Sequence, residues 1–290
     1  MTDSNSSATG LVAIRGLQEP DLAGALELES RERWNQTLAD WKRMLRLDPG
    51  GAFAALDGNS LVGTVTTTTY GSDLAWIGMM MVAAPWRGRG IGKRLMGAAL
   101  GYCVARSVAS VKLDATPAGR PLYESLGFVA EGSLERWQGT VQGGGEATAE
   151  RFDASLLPQL RDFDRRAFGA DRGELLGSLI AEAAVPPVVE VAAPGSLRGY
   201  ALARQGTNAT YVGPIVALDE RDARRLLGRL LGRLCGPVCL DVPVRSGGLT
   251  DLLRERGFEM QRELTRMCRG TATAAGLSGS IYAIAGPESG

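Results

Sequence analysis

A glycine- and arginine-rich turn between an apolar strand and an amphipathic helix constrains this chain more than any other feature. Residues 82–93 have the sequence VAAPWRGRGIGK. Glycines let a ligand approach the backbone closely, and the first N–H groups of a helix have no acceptor within the helix. Together with the positive end of the helix dipole, they form a site suited to phosphate or pyrophosphate. The segment therefore predicts a phosphorylated ligand at this turn.

The spacing within the turn excludes two common phosphate-binding motifs. A P-loop needs Gly-x-x-x-x-Gly-Lys-Ser/Thr, but Arg87 stands at the first glycine and Arg94 at the hydroxyl position. The dinucleotide fingerprint Gly-x-Gly-x-x-Gly fails at its third glycine from either starting point. The phosphate site must therefore be of another kind.

The pattern that does fit is Arg-x-x-Gly-x-Gly, formed by Arg87, Gly90 and Gly92. It resembles the acyl-CoA-binding motif of the GCN5-related N-acetyltransferases. Residues 76–82, WIGMMMV, resemble the fourth strand of that family, and residues 122–128, LYESLGF, match its late signature Leu-Tyr-x-x-x-Gly-Phe. A glycine-rich surface turn beside a basic patch is the alternative interpretation of the first motif. Three motifs in order within one domain favour the family.

Composition limits the function classes. The 290 residues suffice for two domains, and 32 basic residues balance 32 acidic ones, so no net charge favours nucleic acid or an anionic membrane. The N-terminus lacks signal-peptide features, and no apolar run approaches the ~20 residues of a membrane span. We expect a cytoplasmic protein. The four cysteines are sparse and there is no histidine, which favours buried free thiols and no metal site. Any general base must then be another group.

The two halves of the chain can be laid over each other. Residues 76–78, Trp-Ile-Gly, correspond to residues 211–213, Tyr-Val-Gly, and further matches follow in the same order. Both halves alternate strands and helices. We expect an α/β layered fold of two tandem domains, each with a mixed, mostly antiparallel sheet flanked by helices. The predicted boundaries are a flexible N-terminus at 1–10, a catalytic domain at 11–138, a linker at 139–150 and a second copy at 151–290.

The copies differ where the ligand would bind. Counting from Tyr211 places Asp219, Glu220 and Asp222 around the position of the arginine–glycine turn. Carboxylates repel a pyrophosphate. The position equivalent to Tyr123 is also a leucine, Leu253. The second half is therefore interpreted as a degenerate copy that serves packing or shapes the acceptor pocket, as in a bacterial tandem group of this superfamily that the chain resembles.

The resemblance implies roles for particular residues on the donor side. The backbone of Met80, Met81 and Val82 would bind the pantetheine arm. The pyrophosphate would be held by Arg87, Gly88, Arg89, Gly90, Ile91, Gly92 and Lys93. The phenol of Tyr123 would protonate the departing thiolate, although a core tyrosine is the alternative.

The general base is left unassigned by the sequence. Many relatives place a glutamate on the fourth strand, where this chain has three methionines at 79–81. Asp114 is a candidate base, but its counterpart Asp241 persists in the degenerate copy, which favours a structural role for both. A water-mediated route or an already neutral amine would also serve.

The acceptor is predicted to bind between the first two strands. Two tryptophans and two amides there suit a small polar molecule, while helix packing and capping are the alternatives. The candidates are Trp34, Asn35, Gln36 and Trp41.

These features predict an acyl-CoA-dependent N-acyltransferase, with acetyl-CoA as donor and a small-molecule amine as acceptor. Two alternatives stay open: a donor thioester on the phosphopantetheine of an acyl carrier protein, and a non-catalytic acyl-CoA sensor. The sequence does not decide between a monomer and a homodimer.

Overall fold

The computed structural model describes residues 12–143, 152–192, 196–271 and 279–290. These residues form one twelve-stranded sheet with helices packed on it. The strands are β1 (Ala13–Gly16), β2 (Phe53–Asp57), β3 (Ser60–Tyr70), β4 (Leu74–Val82), β5 (Ser110–Ala115), β6 (Val129–Gln142), β7 (Val188–Ala192), β8 (Ser196–Arg204), β9 (Thr210–Ala217), β10 (Cys235–Pro243), β11 (Glu259–Gly270) and β12 (Ile281–Ala283). The α-helices are α1 (Leu22–Arg31), α2 (Leu38–Leu47), α3 (Ile91–Ala105), α4 (Arg120–Ser125), α5 (Leu157–Phe168), α6 (Gly173–Ala181), α7 (Glu220–Leu231) and α8 (Gly247–Glu255).

The two halves exchange strands. The sheet order is β1-β2-β3-β4-β5-β11-β6-β10-β9-β8-β7, with β12 on β9. Strand β11 of the second half thus lies between β5 and β6, and β6 of the first half lies between β11 and β10. Among the strands of the described residues, only β4–β5 and β9–β10 are parallel pairs. The mixed, mostly antiparallel architecture is confirmed; the continuity of the sheet across both halves was not predicted.

Strand β6 enters the segment that was predicted to be a linker. It continues to Gln142, and Gly139 pairs with Val238 on β10. Residues 139–142 are therefore strand rather than linker, because β10 provides a partner that the local sequence does not reveal. Residues 144–150 and the predicted flexible N-terminus at 1–10 lie outside the described residues.

The largest hydrophobic core belongs to both halves. Trp76 of β4 is fully buried and its ring lies 6.2 Å from that of Phe168 on α5. Leu134 on β6 and Leu264 on β11 join the same cluster. Separating the halves would expose this shared apolar surface to water, so each half depends on the other for stability.

Strand β4 separates from β5 partway along its length. The two pair only from Leu74 to Trp76. Beyond this point Met79 has a φ of +47°, and the register with β3 shifts. The hydroxyl of Thr64 donates to the carbonyl oxygen of Met79 at 2.8 Å and fixes this bulge. The edge of β4 beyond Trp76 is consequently open towards β5.

Strand β9 separates from β10 in the same way, after pairing at Thr210 and Tyr211. Here the short strand β12 follows β9, with Ile281 opposite Val216 and Ala283 opposite Ile215. The chain then continues to the first half, where Glu288 lies against Gly78. An added Cβ on Gly78 would lie 2.4 Å from the Cα of Glu288, so this approach requires glycine.

No helix in the described ranges is both long and apolar enough to cross a membrane. The cysteines are free thiols; Cys103, Cys239 and Cys268 are buried as expected, but Cys235 at the start of β10 is exposed.

Candidate active site

A cavity of about 630 Å³ lies where β4 and β5 separate. One end is formed by the turn before α3, and one wall by β4 from Ile77 to Val82. The cavity extends over β5 to β11 and β6, where Arg262 and Arg136 line it. The exchanged strand β11 thus brings residues of the second half into the site.

The turn before α3 presents free backbone donors to this cavity. Gly88 and Gly90 have φ values of +75° and +74°, a conformation that favours glycine. Helix α3 has no side-chain N-cap. Within the described part of the chain, the N–H groups of Gly90, Ile91, Gly92 and Lys93 have no hydrogen-bond acceptor. This arrangement can bind an anion.

The side chains of the turn are held in place by their neighbours. Arg87 donates through Nε to the carbonyl oxygen of Val82 at 2.9 Å and forms an ion pair with Glu32. The guanidinium of Arg89 lies 4.8 Å from the ring centroid of Trp86. An added Cβ on Gly92 would lie 2.9 Å from Met80, so helix and strand approach closely there. Of the predicted donor residues, the cavity lining omits only Arg89.

Tyr123 of α4 also lines the cavity. Its ring packs edge-on against Phe128 at 6.1 Å, and Gly119 leaves room for it, because an added Cβ there would lie 3.1 Å from the ring. Burial raises the pKa of the Tyr123 hydroxyl to about 12. The phenol therefore stays protonated at neutral pH and can donate a proton.

Asp114 also lines the cavity, but both of its carboxylate oxygens are already bound. Arg266 on β11 donates to them through Nε and Nη2, each at 2.8 Å. Burial raises the pKa of Asp114, against the opposing effect of the Arg266 charge. The counterpart Asp241 makes the same two-bond pair with Arg136 on β6, at 2.8 and 2.6 Å. Each aspartate thus joins a strand of its own half to the exchanged strand of the other.

The predicted acceptor residues fall into two groups. Trp34 and Gln36 line the cavity. Asn35 instead accepts from the N–H groups of Asn208 and Ala209, both at 2.9 Å, and so joins the two halves. Trp41 is fully buried in the shared core.

Sequence reasoning missed Glu288, which lines the cavity beside the open part of β4. It accepts a hydrogen bond from Arg204 at 2.6 Å through one oxygen and from Gln36 at 3.2 Å through the other. The tail around it is fixed because Trp76 donates to the carbonyl oxygen of Pro287 at 3.0 Å. The resemblance to the bacterial tandem group extends to the tail at 281–287, IYAIAGP, and this was the one sequence signal that could have pointed to Glu288.

Two more charged residues were missed. Arg262 reaches the cavity because β11 is exchanged. Glu29 on α1 is 3% exposed, and neither carboxylate oxygen has a hydrogen-bond partner among the described residues. Burial, together with the nearby charges of Asp40 and Glu288, raises the pKa of Glu29 to about 7.

Family models match both halves of the chain. The model of the acetyltransferase (GNAT) family matches residues 13–128, and that of an acetyltransferase (GNAT) domain matches residues 160–283. The chain belongs to the GCN5-related N-acetyltransferase superfamily and carries two such domains in tandem. Membership supports an acyltransferase function, and the family uses acyl-CoA donors.

Similar proteins span nearly the whole chain. An uncharacterized N-acetyltransferase of Bacillus subtilis (strain 168), YitH, is 28% identical over 85% of this chain and 88% of its own length. The holothin acyltransferase of Pseudoalteromonas sp. (strain SANK 73390) is 27% identical over 89% of this chain and 88% of its own. The crystal structure of a proposed acetyltransferase from Pyrococcus horikoshii covers 100% of this chain and 99% of its own, with a TM-score of 0.78 at 20% identity. That likeness shows the shared fold.

Proposed function

We propose that this protein is an acyl-CoA-dependent N-acyltransferase that transfers an acetyl group from acetyl-CoA to the amine of a small molecule. One observation supports this above all: a helix N-terminus with free N–H groups opens into a cavity between separated strands, and a protonated phenol lines the same cavity.

On the donor side, the free N–H groups from Gly90 to Lys93 bind the pyrophosphate in this proposal, and Lys93 adds a positive charge. The pantetheine arm lies along Met80 to Val82, where β4 has no neighbouring strand on the β5 side. The thioester then lies near Tyr123, and its acyl group points towards the part of the cavity lined by Trp34 and Gln36.

The reaction needs no covalent enzyme intermediate. The neutral amine attacks the thioester carbonyl carbon, a C–N bond forms, and the C–S bond breaks as the tetrahedral intermediate collapses. Tyr123 gives its proton to the leaving thiolate. The proton lost by the nitrogen passes through water to the phenolate, which restores Tyr123. Asp114 takes no part in proton transfer in this scheme, since Arg266 occupies both of its oxygens.

Calorimetric titration of acetyl-CoA into the wild type and into Gly90→Asp tests the donor site. We expect one site per chain in the wild type and no measurable binding to the variant, because the aspartate places a carboxylate among the phosphate donors. Gly257→Asp is the matched control: its φ of +76° resembles that of Gly90, its surroundings are equally open, and it lies outside the cavity.

The outcomes separate the alternatives. Two sites per chain would contradict a degenerate second half. Binding of acetyl-CoA without CoA release in the presence of any amine would favour the sensor. An absence of binding in the wild type would reject acetyl-CoA and lead to longer acyl-CoAs and carrier-protein donors.

A further inference from the structure

Two arginines lie directly opposite each other on neighbouring strands of the cavity. The register of β6 and β11 pairs Arg136 with Arg262, and both side chains line the cavity. Like charges at directly opposed positions repel each other and destabilise a sheet. Packing of the sheet alone therefore does not explain why two arginines occupy these opposed positions.

Among the described residues, only Arg136 of this pair has a directly bound counter-ion. Asp241 accepts two hydrogen bonds from Arg136 and a third, at 3.0 Å, from the hydroxyl of Tyr211. The guanidinium of Arg262 forms neither an ion pair nor a hydrogen bond with any of the described residues. Burial and the charge of Arg136 lower the pKa of Arg262, and the nearby charge of Asp241 opposes this effect only in part. Arg262 is thus a cation in the cavity without a direct counter-ion.

The pseudo-symmetry of the molecule provides an internal control. Arg266 is equivalent to Arg136 and makes the equivalent pair with Asp114. The residue directly opposite Arg266 is Gly132, at the position equivalent to Arg262. Since the exchanged-strand pairing forms there without a second arginine, Arg262 is not required by that pairing.

A second charged group, Glu288, lines another wall of the same cavity. Glu288 is held by Arg204 and Gln36 beside the open part of β4. It connects to Arg136 through a chain of contacts: Arg204 stacks on the Tyr211 ring at 4.3 Å, and Tyr211 binds Asp241. The cavity thus contains an anion paired with Arg204 and, in Arg262, a cation without a direct counter-ion.

We propose that the acceptor is an amine that also carries an anionic group, with Arg262 binding the anion and Glu288 facing the amine. This inference rests on the proposed function and specifies its substrate class. The shared chemistry is an oxyanion beside an amine, such as an amino acid or an aminoalkyl phosphate. A guanidinium suits both, because its parallel N–H groups match two oxygens.

The test is a matched panel of acceptors. Each free amino acid is compared with its carboxamide, and phosphoethanolamine with ethanolamine, so that each pair differs in the anionic group. CoA release measures turnover, and titration into the CoA-loaded protein measures binding. We expect at least one anionic member to have a KM at least tenfold lower than its uncharged counterpart. Comparison of the amino acids with phosphoethanolamine then identifies whether the preferred anionic group is a carboxylate or a phosphate.

Arg262→Gln should raise the KM of the preferred anionic acceptor at least tenfold, remove the advantage over its uncharged counterpart and leave the affinity for acetyl-CoA unchanged. Arg269→Gln, on the same strand but outside the cavity, should retain the preference. The unfolding midpoint of acceptor-free Arg262→Gln should equal or exceed that of the wild type, because a repulsion is removed.

Three results would overturn the proposal. The first is a panel in which no anionic acceptor binds or reacts better than its counterpart. The second is loss of acetyl-CoA affinity in Arg262→Gln, which would assign the arginine to the donor. The third is a lower unfolding midpoint in that variant, which would make the arginine structural. Failure of the wild type to bind acetyl-CoA would instead reject the proposed function.

Discussion

The molecule contains two places where parallel strands separate, and they are filled differently. Between β4 and β5 the gap is a cavity of about 630 Å³. Between β9 and β10 the gap holds β12, which pairs with Ile215 and Val216. By the correspondence of Trp76 with Tyr211, those residues are the equivalents of Met80 and Met81. The second half therefore places its own backbone where the first half is proposed to bind the pantetheine arm.

The helices that follow the two gaps also differ in whether their N-terminal N–H groups are free or bound by the chain itself. The N-cap residue of α3 is Gly90, which has no side chain to cap the helix. The N-cap residue of α7 is Asp219, whose carboxylate accepts from the N–H of Asp222 at 2.9 Å. One helix end is free to bind a ligand, and the other is bound by its own chain. In the second half, the chain's own groups thus occupy both positions equivalent to the proposed donor site.

The largest expected effect comes from disturbing the filled gap. Ile281→Ala removes a side chain that is 1% exposed on β12 and should lower the free energy of unfolding by about 2–5 kcal/mol. Urea denaturation measures this change. Val104→Ala, at a position 73% exposed on α3, should change it by less than about 0.5 kcal/mol. Equal effects of the two variants would mean that β12 does not stabilise the second half.

Removing the proposed proton donor, Tyr123, should affect catalysis alone. Tyr123→Phe should lower kcat about 100-fold or more and leave acetyl-CoA affinity unchanged, as expected for loss of a general acid. Steady-state kinetics and calorimetry provide the two readouts. Tyr282→Phe removes a phenol from β12, outside the cavity, and should leave kcat as in the wild type. Full activity of Tyr123→Phe would contradict the proposed role as proton donor and favour a packing role for this tyrosine.

Glu29 of the first half is expected to titrate near neutral pH. Since the folded-state pKa of Glu29 is raised from 4.5 to about 7, folding favours its protonated form. That stabilisation is complete below pH 4.5 and is lost as the pH rises through 7. Glu29→Gln should therefore stabilise the protein by about 1–3 kcal/mol at pH 8 and have no effect at pH 4.

Thermal unfolding across this pH range gives the comparison. Glu27→Gln, an exposed neighbour on α1, is the control and should show no such trend. A stabilisation by Glu29→Gln that is independent of pH would show that the carboxyl does not titrate in this range.

The smallest effect concerns the capped helix. Asp219→Ala removes the N-cap of α7 and should lower the free energy of unfolding by about 1 kcal/mol. Urea denaturation at fixed pH measures it, and Asp251→Ala, an exposed carboxylate within α8, should change it less. If Asp219→Ala leaves the free energy of unfolding unchanged, the side-chain cap does not stabilise α7, and the contrast between the two helix ends is weakened.

The donor side was predictable because its signals are local. The positive φ values of Gly88 and Gly90 and the free N–H groups come from a few consecutive residues, whose sequence specifies that turn. The same holds for the second half, where three acidic residues mark the start of α7. Local chemistry was sufficient there to predict the backbone of both turns, and their roles in donor binding stay predictions.

The acceptor side was not predictable in this way. Arg262 reaches the cavity because β11 is exchanged, and Glu288 reaches it because the segment after β12 crosses to β4. A tandem repeat of the sequence suggests two self-contained sheets, since the pattern of each half is complete. The sequence pattern of either half does not show whether its long strand, β6 or β11, pairs within that half or with the other half.

The exchange also determines when the active site can form during synthesis. Strand β5 pairs with β4 on one edge, but it receives its neighbour on the other edge only when β11 is made, about 150 residues later. Until then the ribosome-bound first half holds β5 with an unpaired edge, although its own sequence is complete, and unpaired edges invite aggregation. The sequence therefore shows two repeated domains, but the two halves form one continuous sheet. The cavity is among the last parts of the molecule to be completed.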